Sequence, residues 1–146
     1  MTLRRDGLVA ALRELGGQVA SRCGLLCAVR CRVPRRHEPA PEVAIHVFRI
    51  AQEALTNAVR HARPRRLRLE LLREGERLRL LVEDDGLGLP LDWRQRPGLG
   101  LQAMQHRAHL VGAELRLSAA GRRGTRVTCD FAPRPSSRIV REDTAS

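Results

Sequence analysis

Glu53 and Asn57 stand four residues apart, with Arg49 four residues before and Arg60 three residues after. On a helix that spacing gathers all four on one face, opposite the apolar positions. A carboxylate can position or deprotonate an attacking hydroxyl or water, an amide oxygen suits a hard cation such as Mg2+, and arginine pairs with phosphate. A solvated helix face would look the same at these positions alone. A second group, Glu83-Asp84-Asp85-Gly86-Leu87-Gly88, sets acids directly before two glycines. Glycine lets backbone approach a flat ligand and a carboxylate accepts a hydrogen bond from an exocyclic amine, although a tight turn with an acidic edge also fits. The third group is Gly98-Leu99-Gly100-Leu101 at the start of a helical pattern. Free N–H groups and the helix dipole favour an anion there, and a flexible hinge is the alternative.

The elements that must position these groups follow from periodicity. Leu8, Ala11, Leu12, Leu15 and Val19 have helical spacing over 7–21, weakened by Gly16 and Gly17. Alternation through Leu25, Cys27, Val29, Cys31 and Val33 predicts a strand, and residues 34–41 predict a loop. A long helix is expected over 42–62, with Ala44, Val47, Phe48, Ala51, Leu55, Ala58 and Ala62 as its apolar stripe and Pro64 beyond its end. Residues 66–73 and 77–82 alternate about a Glu74-Gly75-Glu76 turn, which predicts a hairpin. A glycine- and proline-punctuated loop covers 86–100, a helix 100–111, and two further strands 114–118 and 124–131. The tail from 133 to 146 is polar and aperiodic and is expected to be disordered.

Composition narrows the chemistry. All 27 basic residues among the 146 are arginine, which leaves a net charge of +11 and no lysine. A P-loop and a kinase of the eukaryotic type both require a lysine on the nucleotide phosphates, so both are excluded. Arginine excess suggests nucleic acid, but Phe48, Trp93 and Phe131 are too few to stack bases, and a solvated basic surface is the preferred reading. Cys23, Cys27, Cys31 and Cys129 form no C-x-x-C pair and are expected as core thiols. No stretch reaches the roughly 18 apolar residues of a membrane span, and no signal peptide opens the chain, so a cytoplasmic chain without membrane contact is expected. Gly98-Leu-Gly-Leu-Gln-Ala103 imitates a dinucleotide fingerprint, but Trp93-Arg-Gln-Arg-Pro97 rather than a strand precedes it.

In order and spacing the three groups resemble the ATP-binding catalytic domain of bacterial sensor histidine kinases, over about residues 24–132. Residues 48–62 (F-R-I-A-Q-E-A-L-T-N-A-V-R-H-A) look like the N box, and 84–88, 98–101 and 121–125 like the three glycine boxes. The wording of 52–58 is closest to the nitrate-sensor subfamily. The resemblance implies a two-layer α/β sandwich that binds ATP and Mg2+. By position Asn57 would hold Mg2+, and Glu53 would orient or activate the acceptor. Arg60 and His61 would touch phosphate, Asp84 would accept the adenine amine, and Gly86 and Gly88 would flank the base. Residues 89–97 would form a lid, Gly98, Leu99, Gly100 and Leu101 would close on the phosphates, and Thr125 would support the adenine end.

The resemblance also implies partners: a histidine phosphoacceptor outside this chain and a response regulator with helix-turn-helix output. Residues 1–23 then correspond to the linker from a dimerisation and phosphoacceptor module. His37-Glu38 imitates the acceptor dipeptide, but Pro39 and Pro41 argue for a loop. His46, His106 and His109 read as surface or boundary residues. An anti-sigma-factor-type serine kinase or an ATP-dependent switch protein is the alternative function.

Overall fold

The computed structural model describes residues 2–88 and 98–135, with side chains from residue 6 onward. Leucines alternate with charged residues along most of 66–82, and successive strand side chains leave opposite faces, so one face of the hairpin must be apolar. The chain forms helices α1 (Thr2–Cys23), α2 (Pro41–Asn57) and α3 (Leu99–Leu110). Its strands are β1 (Leu26–Arg32), β2 (Arg66–Glu74), β3 (Arg77–Asp84), β4 (Glu114–Ala119) and β5 (Thr125–Phe131). The sheet order is β1-β2-β3-β5-β4, with β1 parallel to β2 and every other neighbour antiparallel. A parallel pair needs a crossover, and α2 supplies it.

Leu67, Leu69, Leu71, Leu78, Leu80, Val82, Val127, Cys129 and Phe131 make the buried face of the sheet. Val43, Val47, Ile50 and Leu55 of α2 and Leu101, Met104 and Ala108 of α3 cover it, which is the expected two-layer α/β sandwich. Leu8, Ala11 and Leu12 of α1 belong to the same core.

The opposite sheet face is where many arginines go. Arg68 bridges Glu70 at 3.2 Å and Glu83 at 3.3 Å, and Arg126 Nε meets Glu83 at 2.7 Å. Arg79 holds Asp130 through two bonds, of 2.6 and 3.0 Å. Such solvated pairs contribute little stability each, but they convert basic excess into an ordered sheet surface.

Several expectations shift. The N-terminal helix is longer than 7–21 and is broken at Gly7, whose φ of +85° is left-handed. It restarts under a cap from the expected loop, as Leu8 N and Val9 N donate to the Glu38 carboxylate at 2.9 and 3.2 Å. His37 lies in a 3-10 turn, Arg35–His37, so the loop is partly wound. The helix expected over 42–62 ends at Asn57 and continues as a π-helical turn, Ala58–Ala62. Arg63 then turns left-handed at φ 48° ahead of Pro64. The Ala62 carbonyl at the end of that wider turn accepts the Leu87 N–H at 2.7 Å. Cys129 is buried, Cys27 and Cys31 are half-buried and Cys23 is exposed, because α1 runs on to carry it clear of the core. Burial pushes the Cys129 thiol up to about 12, which suits an inert core residue. Pro133, at the start of the expected tail, is tied down, its carbonyl accepting from Ala40 N at 2.8 Å. The expected lid at 89–97 and tail residues 136–146 lie outside the described residues.

Candidate functional site

The apolar arc of α2 is wider than the sequence stripe, since Ile50 and Ala54 are buried as well. Glu53 and Asn57 therefore flank the arc instead of opposing it, and both are half-buried. They face the first turn of α3. A methyl group built on Gly100 would lie 2.5 Å from Glu53 Oε1 and 2.8 Å from both Asn57 Oδ1 and Nδ2. Only a residue without a side chain brings the α3 backbone this close to both.

The expected four-residue wall reduces to this pair. Arg49 is exposed, and its Nη1 donates to Gln52 Oε1 at 2.9 Å. Arg60 and His61 sit on the π turn, where the winding departs from the spacing that put them beside Asn57, and both are exposed. Along α3 Leu101 is buried, whereas Leu99 is 85% exposed. Gly98 precedes the helix with extended backbone and is exposed, leaving its carbonyl to accept from Gln102 N at 3.1 Å.

Asp84 closes the other side. The inward alternation of β3 through Leu78, Leu80 and Val82 carries on to Asp84, which is only 7% exposed. Its Oδ1 accepts from Gly86 N at 2.8 Å, and the Thr125 N–H donates to the same carboxylate. Burial raises its pKa above the ordinary carboxylate value of 3.8, and the two backbone donors oppose that rise. Gly86 lies on the end of the π turn, where a methyl would meet the Ala62 carbonyl oxygen at 2.1 Å. At Gly124 a methyl would meet the Asp84 carbonyl oxygen at 2.1 Å. Gly88 packs beside Gly124 with a left-handed φ of 85°. The structure thus brings together Asp84, Gly86, Gly88 and Thr125 on one side, and Glu53, Asn57 and Gly100 on the other.

Sequence reasoning ended the third strand at Val82; two further steps of the same alternation would have shown that Asp84 turns inward. It includes Asp85, Ala62 and Gly124 within its motifs but gives none of them a role of its own. The signal for Asp85 was its place beside Asp84, since neighbours at a strand end must diverge.

Among the described residues no three His, Cys, Asp or Glu side chains come together to hold a metal ion. The oxygen donors on the α3 side are Asn57 and Glu53. One or two hard oxygens fit Mg2+, which keeps its remaining positions for water and phosphate. A cavity of about 450 Å3 is lined by Asp84 and Asp85 together with Leu26, Ala28, Arg66, Arg68 and Arg123. Leu26, Ala28, Arg66 and Arg68 belong to the solvent-facing side of the sheet, so this cavity adjoins the site at Asp84 and opens along that face.

Known proteins are similar to this chain in sequence and in fold. UhpB of Salmonella typhimurium, a signal transduction histidine-protein kinase/phosphatase, is 39% identical over 62% of this chain, a stretch equal to 17% of UhpB. The nitrate/nitrite sensor NarX of Escherichia coli K12 is 27% identical over 99% of this chain and 24% of NarX. The chain thus spans a quarter or less of the length of these relatives. The histidine kinase domain of the blue-light activated kinase from Erythrobacter litoralis EL346 superposes with a TM-score of 0.76 at 28% identity, covering 92% of this chain and 64% of that one. Residues 42–135 match the family described as the histidine kinase-, DNA gyrase B- and HSP90-like ATPases, and the chain belongs to that family.

Proposed function

We propose that this chain is the ATP-binding catalytic portion of a two-component sensor histidine kinase, moving the γ-phosphoryl group of Mg-ATP to a histidine supplied from outside residues 1–146. The observation that carries the reading is the meeting of Glu53 and Asn57 with the backbone of Gly100 at the start of α3. Phosphoryl transfer asks chiefly for positioning and charge neutralisation. Asn57 supplies an amide oxygen for Mg2+, and the first turn of α3 supplies N–H groups to phosphate. Glu53 orients the attacking imidazole. Asp84 accepts from the adenine amine, with Gly86 and Gly88 against the base and Thr125 N–H fixing the carboxylate. Arg60 and His61 reach phosphate from the π turn.

The partners in this reading are a histidine acceptor domain, to which residues 1–23 connect, and a response regulator with helix-turn-helix output. The cytoplasm is the place of work. No helix among the described residues is long and apolar enough to cross a membrane.

Isothermal titration tests the reading. The chain should bind Mg-ATP, and Asn57→Ala should weaken Mg-ATP by about 10-fold or more, the scale of one lost contact to a charged group, while metal-free ADP changes little. Equal weakening of both nucleotides would remove Asn57 from the metal, and no binding of Mg-ATP by the unaltered chain would overturn the proposal.

A further inference from the structure

Asp85 is exposed, yet it is among the most fully engaged carboxylates in the fold. Its Oδ1 accepts from two consecutive backbone donors, Arg65 N at 2.8 Å and Arg66 N at 3.0 Å. Paired N–H groups of this kind make a small anion-holding concavity. They also draw the Asp85 carboxyl below its ordinary value, the Arg66 N–H contributing most. Arg65 closes the link from the π turn, directly after left-handed Arg63 and Pro64, and Arg66 opens β2. Two further contacts join the same pieces of chain: Leu87 N donates to the Ala62 carbonyl at 2.7 Å, and Gly86 rests on that carbonyl too closely for any side chain.

We propose that Asp85 is a positioning residue, fastening the end of β3 that carries Asp84, and the glycine loop after it, to the segment that follows the helix carrying Asn57. Extended backbone sends Asp84 into the site and Asp85 out to the fastening point, so one pair of neighbours divides ligand contact from anchorage. A nucleotide held at its base by Asp84 and at its phosphates through Asn57 gains from both ends only if their separation is preset, because ordering the loop during binding would cost affinity. The inference rests on the reading of Asp84 and Asn57 as the two ends of a nucleotide site. The anchorage itself is a property of the loop that is measurable without nucleotide.

The experiment combines native-state amide exchange with Mg-ATP and Mg-GTP titration on the intact chain. Asp85→Ala should speed exchange at the Leu87 amide, which Asp85 does not touch, and raise the Mg-ATP dissociation constant by about 10-fold, with a smaller ratio of GTP to ATP constants. Asp85→Asn keeps an oxygen acceptor in place and should stay within about 3-fold of the unaltered chain in exchange and affinity. Unchanged Leu87 exchange in Asp85→Ala, unchanged Mg-ATP affinity, or Asp85→Asn as impaired as Asp85→Ala would each overturn the positioning role. If the unaltered chain binds no Mg-ATP, the nucleotide reading fails, and Leu87 exchange still decides whether Asp85 holds the loop.

Discussion

Asp84 occupies a position that costs an ionised carboxylate more than water does. Burial raises its pKa, so the folded state holds the proton to a higher pH than the unfolded chain does. The associated stability is fully present below the ordinary value of 3.8 and is lost as pH rises through the raised folded value. Ligand recognition runs the other way, because the ionised oxygen is the better acceptor for an adenine amine. Mg-ATP affinity should therefore begin to fall, as pH is lowered, at a higher pH than an exposed carboxylate would give. Asp84→Asn should abolish that dependence and shrink the preference for ATP over GTP, by up to the roughly 1.5–3 kcal/mol of one charge-assisted bond. Calorimetric titrations from neutral to mildly acid pH check both effects, and an unaltered pH profile in Asp84→Asn would remove Asp84 from the base.

At the scale of elements, α2 and α3 face each other across Gly100, and their contact is extended by Arg107 Nη1 against His46 Nδ1 at 3.3 Å. Two glycine substitutions separate architecture from function. In Gly86→Ala the new methyl meets backbone at Ala62, which cannot yield without moving the π turn, so the melting temperature should drop. In Gly100→Ala its nearest neighbours are the side-chain ends of Glu53 and Asn57, which can rotate away, while alanine favours the helix by about 1 kcal/mol. That variant should melt no lower than the unaltered chain yet bind Mg-ATP at least about 10-fold more weakly, the scale of one displaced charged contact. Thermal melts with titrations decide the case, and unchanged Mg-ATP affinity in Gly100→Ala would separate the α2–α3 contact from the nucleotide.

For the whole molecule, the relatives are at least four times longer than the region they share with this chain. The isolated chain is expected to bind ATP without gaining acid-labile, base-stable phosphate. Supplying a dimerisation and acceptor module from a related kinase should allow transfer. Glu53→Ala should then slow that transfer by about 100-fold, a general-base or orienting contribution, with nucleotide affinity nearly retained. Phosphate-stability assays on the gel-separated chains read the outcome. Phosphohistidine on the chain alone would contradict the division of labour, and phosphoserine on an antagonist protein would favour the serine-kinase alternative.

Local periodicity determined a great deal by itself. The leucine alternation in β2 and β3 is legible because a strand can bury one face only by alternating, and the α2 stripe is legible because a helix repeats every 3.6 residues. The glycine boxes were legible as glycines, and the family with them. What each glycine lets approach was decided in three dimensions: the Ala62 backbone at Gly86, the Asp84 backbone at Gly124, and the Glu53 and Asn57 side chains at Gly100. The π turn, the Glu38 cap on α1 and the Asp85 anchorage also came only from tertiary structure. The cap joins groups about 30 residues apart in sequence and the anchorage joins groups about 20 apart. Periodicity carries no signal for such pairs, because their partners are backbone N–H groups that every residue except proline possesses.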